Sequence, residues 1–396
     1  MDIEMYLDEL KSLHTNLLYF IDFNENEEEN FQKLIKNIEE QNIKADQHEL
    51  NNFLHLLNEI SFNHYRSIDF FAKIEKIMLA IKTEIKKYLQ NMQIFKIFKN
   101  NIRMLLFLIE EKILNIDQNV FDEIIKFKTT TIVYFAPEIL PFLKEKATYQ
   151  RENEAMKDSY INYSYLYQDI EDKYNKNKVN FKQKRKVGEN DNYLCKIIRN
   201  DSIEEFITTV NRENYSLNSN IKSSYFETNK LLLKQYNVSL IEYAAFFGAI
   251  QIFRYLYKNG VELKPSIIRY AVHGDNEEII NILEECGIEL NHADIKNIKL
   301  DNDESYEKCY IKSIKCHHNN LADYIKRNYL KKSPSDIMYI MYAFKAHNYS
   351  QIENEMINNE LLIYACKYNY YKIVQLLIKS KKIDVNAMII SIYILL

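Results

Sequence analysis

A chain of 396 residues with 47% hydrophobic content is long enough for two or three domains and an ample core, which excludes wholesale disorder. Its net charge of −4 has the wrong sign for a generally basic nucleic-acid binder. Lysine outnumbers arginine 43 to nine, tyrosine reaches 31 and tryptophan is absent, a bias toward AT-rich codons that precedes any functional meaning.

The first 136 residues contain neither proline nor glycine, so helix is predicted throughout. The first predicted helix carries Ile3, Tyr6, Leu7, Leu10, Leu13, Leu17, Leu18 and Ile21 on one stripe. An acidic loop (Asp22, Glu25, Glu27, Glu28, Glu29) feeds a second helix with Phe31, Leu34, Ile35 and Ile38, placing acids at the positive end of its dipole. A third helix is predicted over roughly 47–62. The fourth is predicted to be long, because Phe71, Ile74, Met78, Ile81, Ile85, Tyr88, Met92 and Phe95 alternate by threes and fours. That spacing allows a coiled-coil seam, but Phe70, Ile77, Leu89, Ile94 and Phe98 widen the stripe, which fits burial inside a bundle better. Further helices run to Phe135, and Pro137 and Pro141 mark a break. Residues 1–145 are therefore expected to form an N-terminal helical bundle.

Residues 146–190 read as a junction. Tyr160, Tyr163, Leu166, Tyr167 and Ile170 predict one more helix, after which 173–186 turns basic and polar. The run Lys182-Gln183-Lys184-Arg185-Lys186 suits a solvated linker; the alternative is a nuclear import signal or a contact to phosphate.

Residues 241–263 and 268–290 are two copies of one segment, 27 positions apart and identical at eight of 23 positions. Ile241/Ile268, Tyr243/Tyr270, Ala244/Ala271, Ile252/Ile279, Leu256/Leu283, Gly260/Gly287, Glu262/Glu289 and Leu263/Leu290 are the matches. Each copy reads as a short helix, a turn, a second helix and a terminating glycine. A unit this small cannot bury its own apolar face, so it must stack on neighbours. A third copy comes late, with Tyr364-Ala365-Cys366-Lys367-Tyr368-Asn369, then Lys372-Ile373-Val374-Gln375-Leu376-Leu377-Ile378, then Asp384-Val385-Asn386-Ala387. These residues resemble the ankyrin repeat, in a divergent style of the type expanded in AT-rich protist genomes. Small Ala244, Ala271 and Ala365 let the first helices approach closely, Gly260 and Gly287 suit left-handed helix ends, and Gly248 and Asn369 occupy the turn between helices. At Asp275 the turn glycine is missing, with Gly274 as its nearest stand-in. Weaker copies are read at 191–217, 308–330 and 335–357. The resemblance implies an all-α protein whose residues 191–396 form an ankyrin-like α-solenoid.

Catalytic chemistry is not legible. P-loop, Gly-x-Gly-x-x-Gly, Gly-x-Ser-x-Gly and His-Glu-x-x-His patterns are all absent. Asp301-Asn302-Asp303-Glu304-Ser305 begins like a calcium loop, but Tyr306 replaces its glycine and no glutamate closes it. Cys309, Cys316, His317 and His318 form the one local cluster of zinc-type ligands, at a spacing that matches no structural zinc pattern. No catalytic residue, metal or cofactor is therefore expected. Five scattered cysteines and an acidic, amphipathic start point to a reducing intracellular compartment, the cytoplasm or alternatively the nucleus. No apolar run approaches the roughly 18–20 residues of a membrane span.

What the resemblance implies is a surface. Ankyrin repeats bind protein partners through finger loops and the exposed end of the first helix, on the concave side. In that motif the two positions after Ala-Ala face outward; here they are Phe246 and Phe247, His273 and Gly274, Lys367 and Tyr368. The link Lys264-Pro265-Ser266 leaves only a stunted finger. Phe246, Phe247, Lys264, His273, Lys367 and Tyr368 are accordingly the expected partner-binding residues. The competing reading packs Phe246 and Phe247 against the short finger or a neighbouring repeat. The expected function is a non-enzymatic interaction or scaffold protein, the alternative a nuclear regulator using 173–186. Finally, Met388–Leu396 carries no charge, so it is expected either to cap the last helix pair or to belong to a reading frame cut short, with the last repeat the least stable.

Overall fold

Asp2 starts the first helix by accepting a hydrogen bond from the Met5 amide, and from there the breaker-free sequence folds as expected into consecutive helices. The computed structural model describes residues 2–64, 67, 69–152, 161–234, 237–286, 306–330, 336–352 and 357–380. Among them, every element of regular structure is helical, so the all-α class holds. The calcium-like segment 301–305 and the C-terminal tail 381–396 lie outside the described residues. Two compact units form: Met1–Tyr88 with Ile197–Ser219 and Ser239–Leu396, and Leu89–Lys196 with Asn220–Val238.

The first unit begins with α1 (Ile3–Asp22), α2 (Glu27–Glu40), α3 (Gln47–Asn63), α4 (Phe70–Ala80) and α5 (Lys82–Tyr88). The apolar stripe of α1 is buried from Ile3 to Ile21 except for half-buried Leu18, and His14 lies on it. Lys73 of α4 is 2% exposed and donates to the carbonyls of Ile21 (3.1 Å) and Phe23 (2.8 Å), closing the C-terminus of α1. The long fourth helix does not form. The chain turns at residue 81 and again at Leu89–Gln90, where the Gln93 side chain accepts from the Gln90 amide (2.8 Å) and opens a new helix. Its apolar residues are nonetheless buried, Ile74, Ile77, Met78, Ile81 and Ile85 in this unit, which is the bundle reading.

The second unit holds α6 (Asn91–Phe98), α7 (Ile102–Glu110), α8 (Gln118–Ile124), α9 (Thr129–Tyr134), α10 (Ala136–Glu152), α11 (Tyr163–Lys176) and α12 (Phe181–Val187). The break falls at Phe135, before the prolines. Pro137 lies in the first turn of α10, where a missing amide costs nothing, and Pro141 continues that helix. The run 182–186 is a packed helix in place of a solvated linker. Arg185 is buried against Glu138, Lys184 pairs with Asp191 (2.8 Å) and Lys186 with Glu110 (3.3 Å).

Helix pairs then recur: α13 (Tyr193–Arg199) with α14 (Ile203–Glu213), and, after the short α15 (Lys230–Lys234), α16 (Leu240–Phe246) with α17 (Ile250–Lys258) and α18 (Ile267–Gly274) with α19 (Glu277–Glu285). They continue as α20 (Tyr306–Cys316) with α21 (Asn319–Tyr329), α22 (Asp336–Ala346) with a 3-10 turn (Tyr349–Gln351), and α23 (Asn359–Lys367) with α24 (Tyr371–Lys379). One geometry marks all six turns. Asp201, Gly248, Asp275, His317, His347 and Asn369 each adopt positive φ, between 48° and 63°. After five of them the next amide reaches back to a carbonyl five residues earlier, as from Ala249 to Ala244 (2.9 Å), His318 to Ser313 (3.0 Å) and Tyr370 to Ala365 (2.9 Å). Side chains just after the turn tie each pair to the one before. Asn276 donates to the Gly248 carbonyl (3.1 Å), Asn348 to Ile314 (3.0 Å) and the Tyr370 hydroxyl to Phe344 (3.1 Å).

Asp275 itself takes the left-handed position, so Gly274 is no stand-in for it. Gly274 ends α18, and a Cβ there would sit 2.1 Å from the Ala245 carbonyl oxygen; its hydrogen is what lets α16 and α18 touch. Gly274→Ala should therefore destabilise the first unit by about 3 kcal/mol through overpacking. Gly260→Ala, at φ +76 with open space around it, should cost only about 1 kcal/mol. Urea denaturation of both variants measures the difference; equal losses would contradict close stacking.

Candidate interaction surface

Counting back from the left-handed residue gives every first helix the same register. Two residues before it stand Arg199, Phe246, His273, Lys315, Lys345 and Lys367. Five residues before it, from the second pair on, stand Tyr243, Tyr270, Lys312, Tyr342 and Tyr364. The two rows interlock between neighbours. Arg199 donates to the Tyr243 hydroxyl (2.8 Å), Phe246 meets Tyr270 edge-on (6.4 Å between centroids) and the Lys315 ammonium lies over the Tyr342 ring (5.3 Å).

The rows change character along the array. At the second and third pairs they are closed: Phe246, Phe247 and His273 are all buried. Phe246 stacks on the His273 ring at 3.8 Å, and Phe247 packs on Tyr243 under the Arg199 guanidinium. The outward stripe expected there is replaced by the packed alternative, because apolar side chains at this register gain more from the neighbouring helix than from water. At the last three pairs the rows open, apart from buried Tyr364. Lys345 and Lys367 are exposed, and Lys315, Tyr342 and Tyr368 half-buried. Lys264 is exposed on the short loop before α18. The structure thus brings Lys367 and Tyr368 together with Lys315, Tyr342 and Lys345, which sequence reading missed because the fourth and fifth copies lack the Ala-Ala landmark.

The turns beside these rows are covered by the chain's own N-terminal helices. α1 packs against the 3-10 turn and α24, and α3 packs against α20. Histidines line this contact: the His14 ring reaches His317 (2.9 Å) and Ser350 (3.0 Å), and His55 stacks on His347 at 5.5 Å. The two nitrogens of His64 face the Cys316 carbonyl (2.6 Å) and the Asp22 carboxylate (2.8 Å), both acceptors, so His64 is the charged member, raised by Asp22 against the effect of burial. His318 faces the His273 carbonyl (3.1 Å) and Asp275 (3.2 Å). Burial pushes the Asp275 carboxyl up to about 7 and holds His318 well below its usual value. Isolated in sequence, these histidines signalled their place only through His317, which was recognisable at a turn. Among the described residues, no group of three or more His, Cys, Asp or Glu side chains is arranged to hold a metal.

Stacked helix pairs with a shared left-handed turn define a helical-repeat protein. The ankyrin-repeat family model matches residues 359–389, the segment of α23, α24 and the chain just beyond them. The chain is an ankyrin-repeat protein, and this class is one of protein–protein interaction modules, typically without catalytic activity. No curated protein and no solved structure matches the chain. No helix among the described residues is long and apolar enough to cross a membrane.

Proposed function

We propose that this chain is a non-enzymatic scaffold that binds a protein partner along the first-helix rows of its last three repeats, the concave side in ankyrin arrays. The observation that carries this reading is the opening of the rows: the same register that packs Phe246 and His273 inward presents Lys345 and Lys367 to water, with half-buried Tyr368 beside Lys367. Lys264 serves as a rim contact. Tyrosine and a flexible cation side by side suit an interface, where aromatic residues supply rigid contact area. Phe246, Phe247 and His273 hold the stack and take no direct part. A Lys367→Glu/Tyr368→Asp variant should lose partner binding at least tenfold at unchanged helicity, whereas Tyr257→Asp on a second helix should not. Equal binding by the three proteins in a quantitative pull-down would remove these rows as the site.

A further inference from the structure

Among the described residues, the open rows carry an excess of positive charge, with the Glu59 carboxylate set among it. Glu59 of α3 is half-buried beside Lys312, Lys315 and Lys345, and it accepts from the Asn63 amide (3.0 Å). Lys315 is held below the usual lysine range, first by burial and then by Lys345 and Lys312 beside it. One acid thus faces three ammonium groups, and Lys367 extends the series on the next helix. Lysine in a last turn also suits the helix dipole, but the dipole is indifferent to which side of the helix carries it. Here Lys315, Lys345 and Lys367 all occupy one register, two residues before the turn.

Resting on the reading above, we infer that the partner presents an acidic segment to these rows, with a carboxylate at every third residue of an extended chain. The period follows from packing. First helices of adjacent repeats are in contact, so their axes lie about 8–10 Å apart and the lysines recur at that interval. A polyproline-type segment has three residues per turn and rises about 3.1 Å per residue, which returns a side chain to the same side every ~9 Å. Tyr342, under the Lys315 ammonium, and Tyr368, next to Lys367 in the chain, offer flat surfaces for the intervening residues. A nucleic acid is the poorer fit: its affinity is built from many phosphate contacts at long range, and a chain of net charge −4 opposes that approach while leaving a short local pairing intact.

The test uses the full chain and a fluorescein-labelled peptide of four Glu-Pro-Pro triplets, read by anisotropy at low salt. Binding is expected, weakened at least tenfold by Lys345→Glu/Lys367→Glu and about as much by Lys345→Met/Lys367→Met, whose helicity should match the wild type. Binding that is unchanged in both variants, equal for a peptide with its four glutamates in one block, or matched by a twelve-residue oligothymidylate would overturn the inference. Loss of the natural partner with Tyr368→Asp but not with Lys345→Met/Lys367→Met would also overturn it while leaving the rows as the binding surface. Retention of the partner by all variants would overturn the surface itself.

Discussion

Lowering the pH from 7 to 5 is expected to cost the first unit several kcal/mol of stability. His14 is held down to about 3 by burial and then by the charge of His64, and burial also holds His317, His318 and His347 well below the usual value of 6.5. For such groups the unfolded chain binds the extra proton. Their contribution is complete above 6.5 and is lost as the pH falls toward the folded value, at about 1.4 kcal/mol per pH unit for each. Asp275 acts in the opposite sense. Raised to about 7, it favours the fold below the unfolded value of 3.8 and loses that advantage as pH rises through 7. His64, Glu49 and Glu59 are raised as well and offset part of the loss, while burial lowers His55 and adds to it. The lowered histidines leave a net acid loss, large against a total stability of about 5–15 kcal/mol. Urea melts followed by circular dichroism at pH 7, 6 and 5 measure it. His317→Asn keeps a residue suited to the left-handed turn, as Asn369 is, and should remove about one proton from the slope. A slope that is flat, or unchanged by the variant, would contradict the burial of neutral His14, His317, His318 and His347 where α1 and α3 meet the repeats.

Glu138→Ala is expected to destabilise the second unit by about 3 kcal/mol, because it leaves a buried guanidinium with the more distant Glu110 carboxylate (3.8 Å) as its counter-charge. Arg185 is 2% exposed, and both of its terminal nitrogens bond Glu138 at 2.6 Å. One nitrogen also donates to the Tyr134 carbonyl (3.2 Å), and the Tyr134 hydroxyl donates to the Arg185 carbonyl, locking α12 to α9. Arg185→Met/Glu138→Leu removes the charges together and should recover most of the loss. A double-mutant cycle by denaturant unfolding reads both, and independent, additive losses would show that the pair is not coupled.

The sequence makes periodic features legible and long-range pairings illegible. The α1 stripe, the repeated copies around Tyr243 and Tyr270, and the late copy at 364–378 are local patterns, and each forms the helices predicted. The run at 182–186 was unreadable for the opposite reason: nothing near Arg185 announces Glu138, 47 residues earlier. The same holds for His14 and His317, which meet across 303 positions. Apolar spacing from Phe71 to Phe95 conceals a chain that turns at 89–90, because burial on either side of a turn preserves the threes and fours. Pro137 misleads because its cost depends on whether it lies inside a helix or at its first turn. At the candidate surface, the repeat motif singled out Lys367 and Tyr368 as expected contacts along with Phe246 and His273, but the inward turn of Phe246 and His273 depends on the absent Cβ of Gly274, which admits the neighbouring helix.

A photo-crosslinking amino acid placed singly at Lys345, Tyr368 and Tyr257 tests the central claim most directly. If the first-helix rows of this ankyrin array hold a protein partner, the probes at 345 and 368 will join one and the same partner, and the second-helix probe at 257 will not. Crosslinking of that partner from 257 alone, or equally from all three positions, would contradict it.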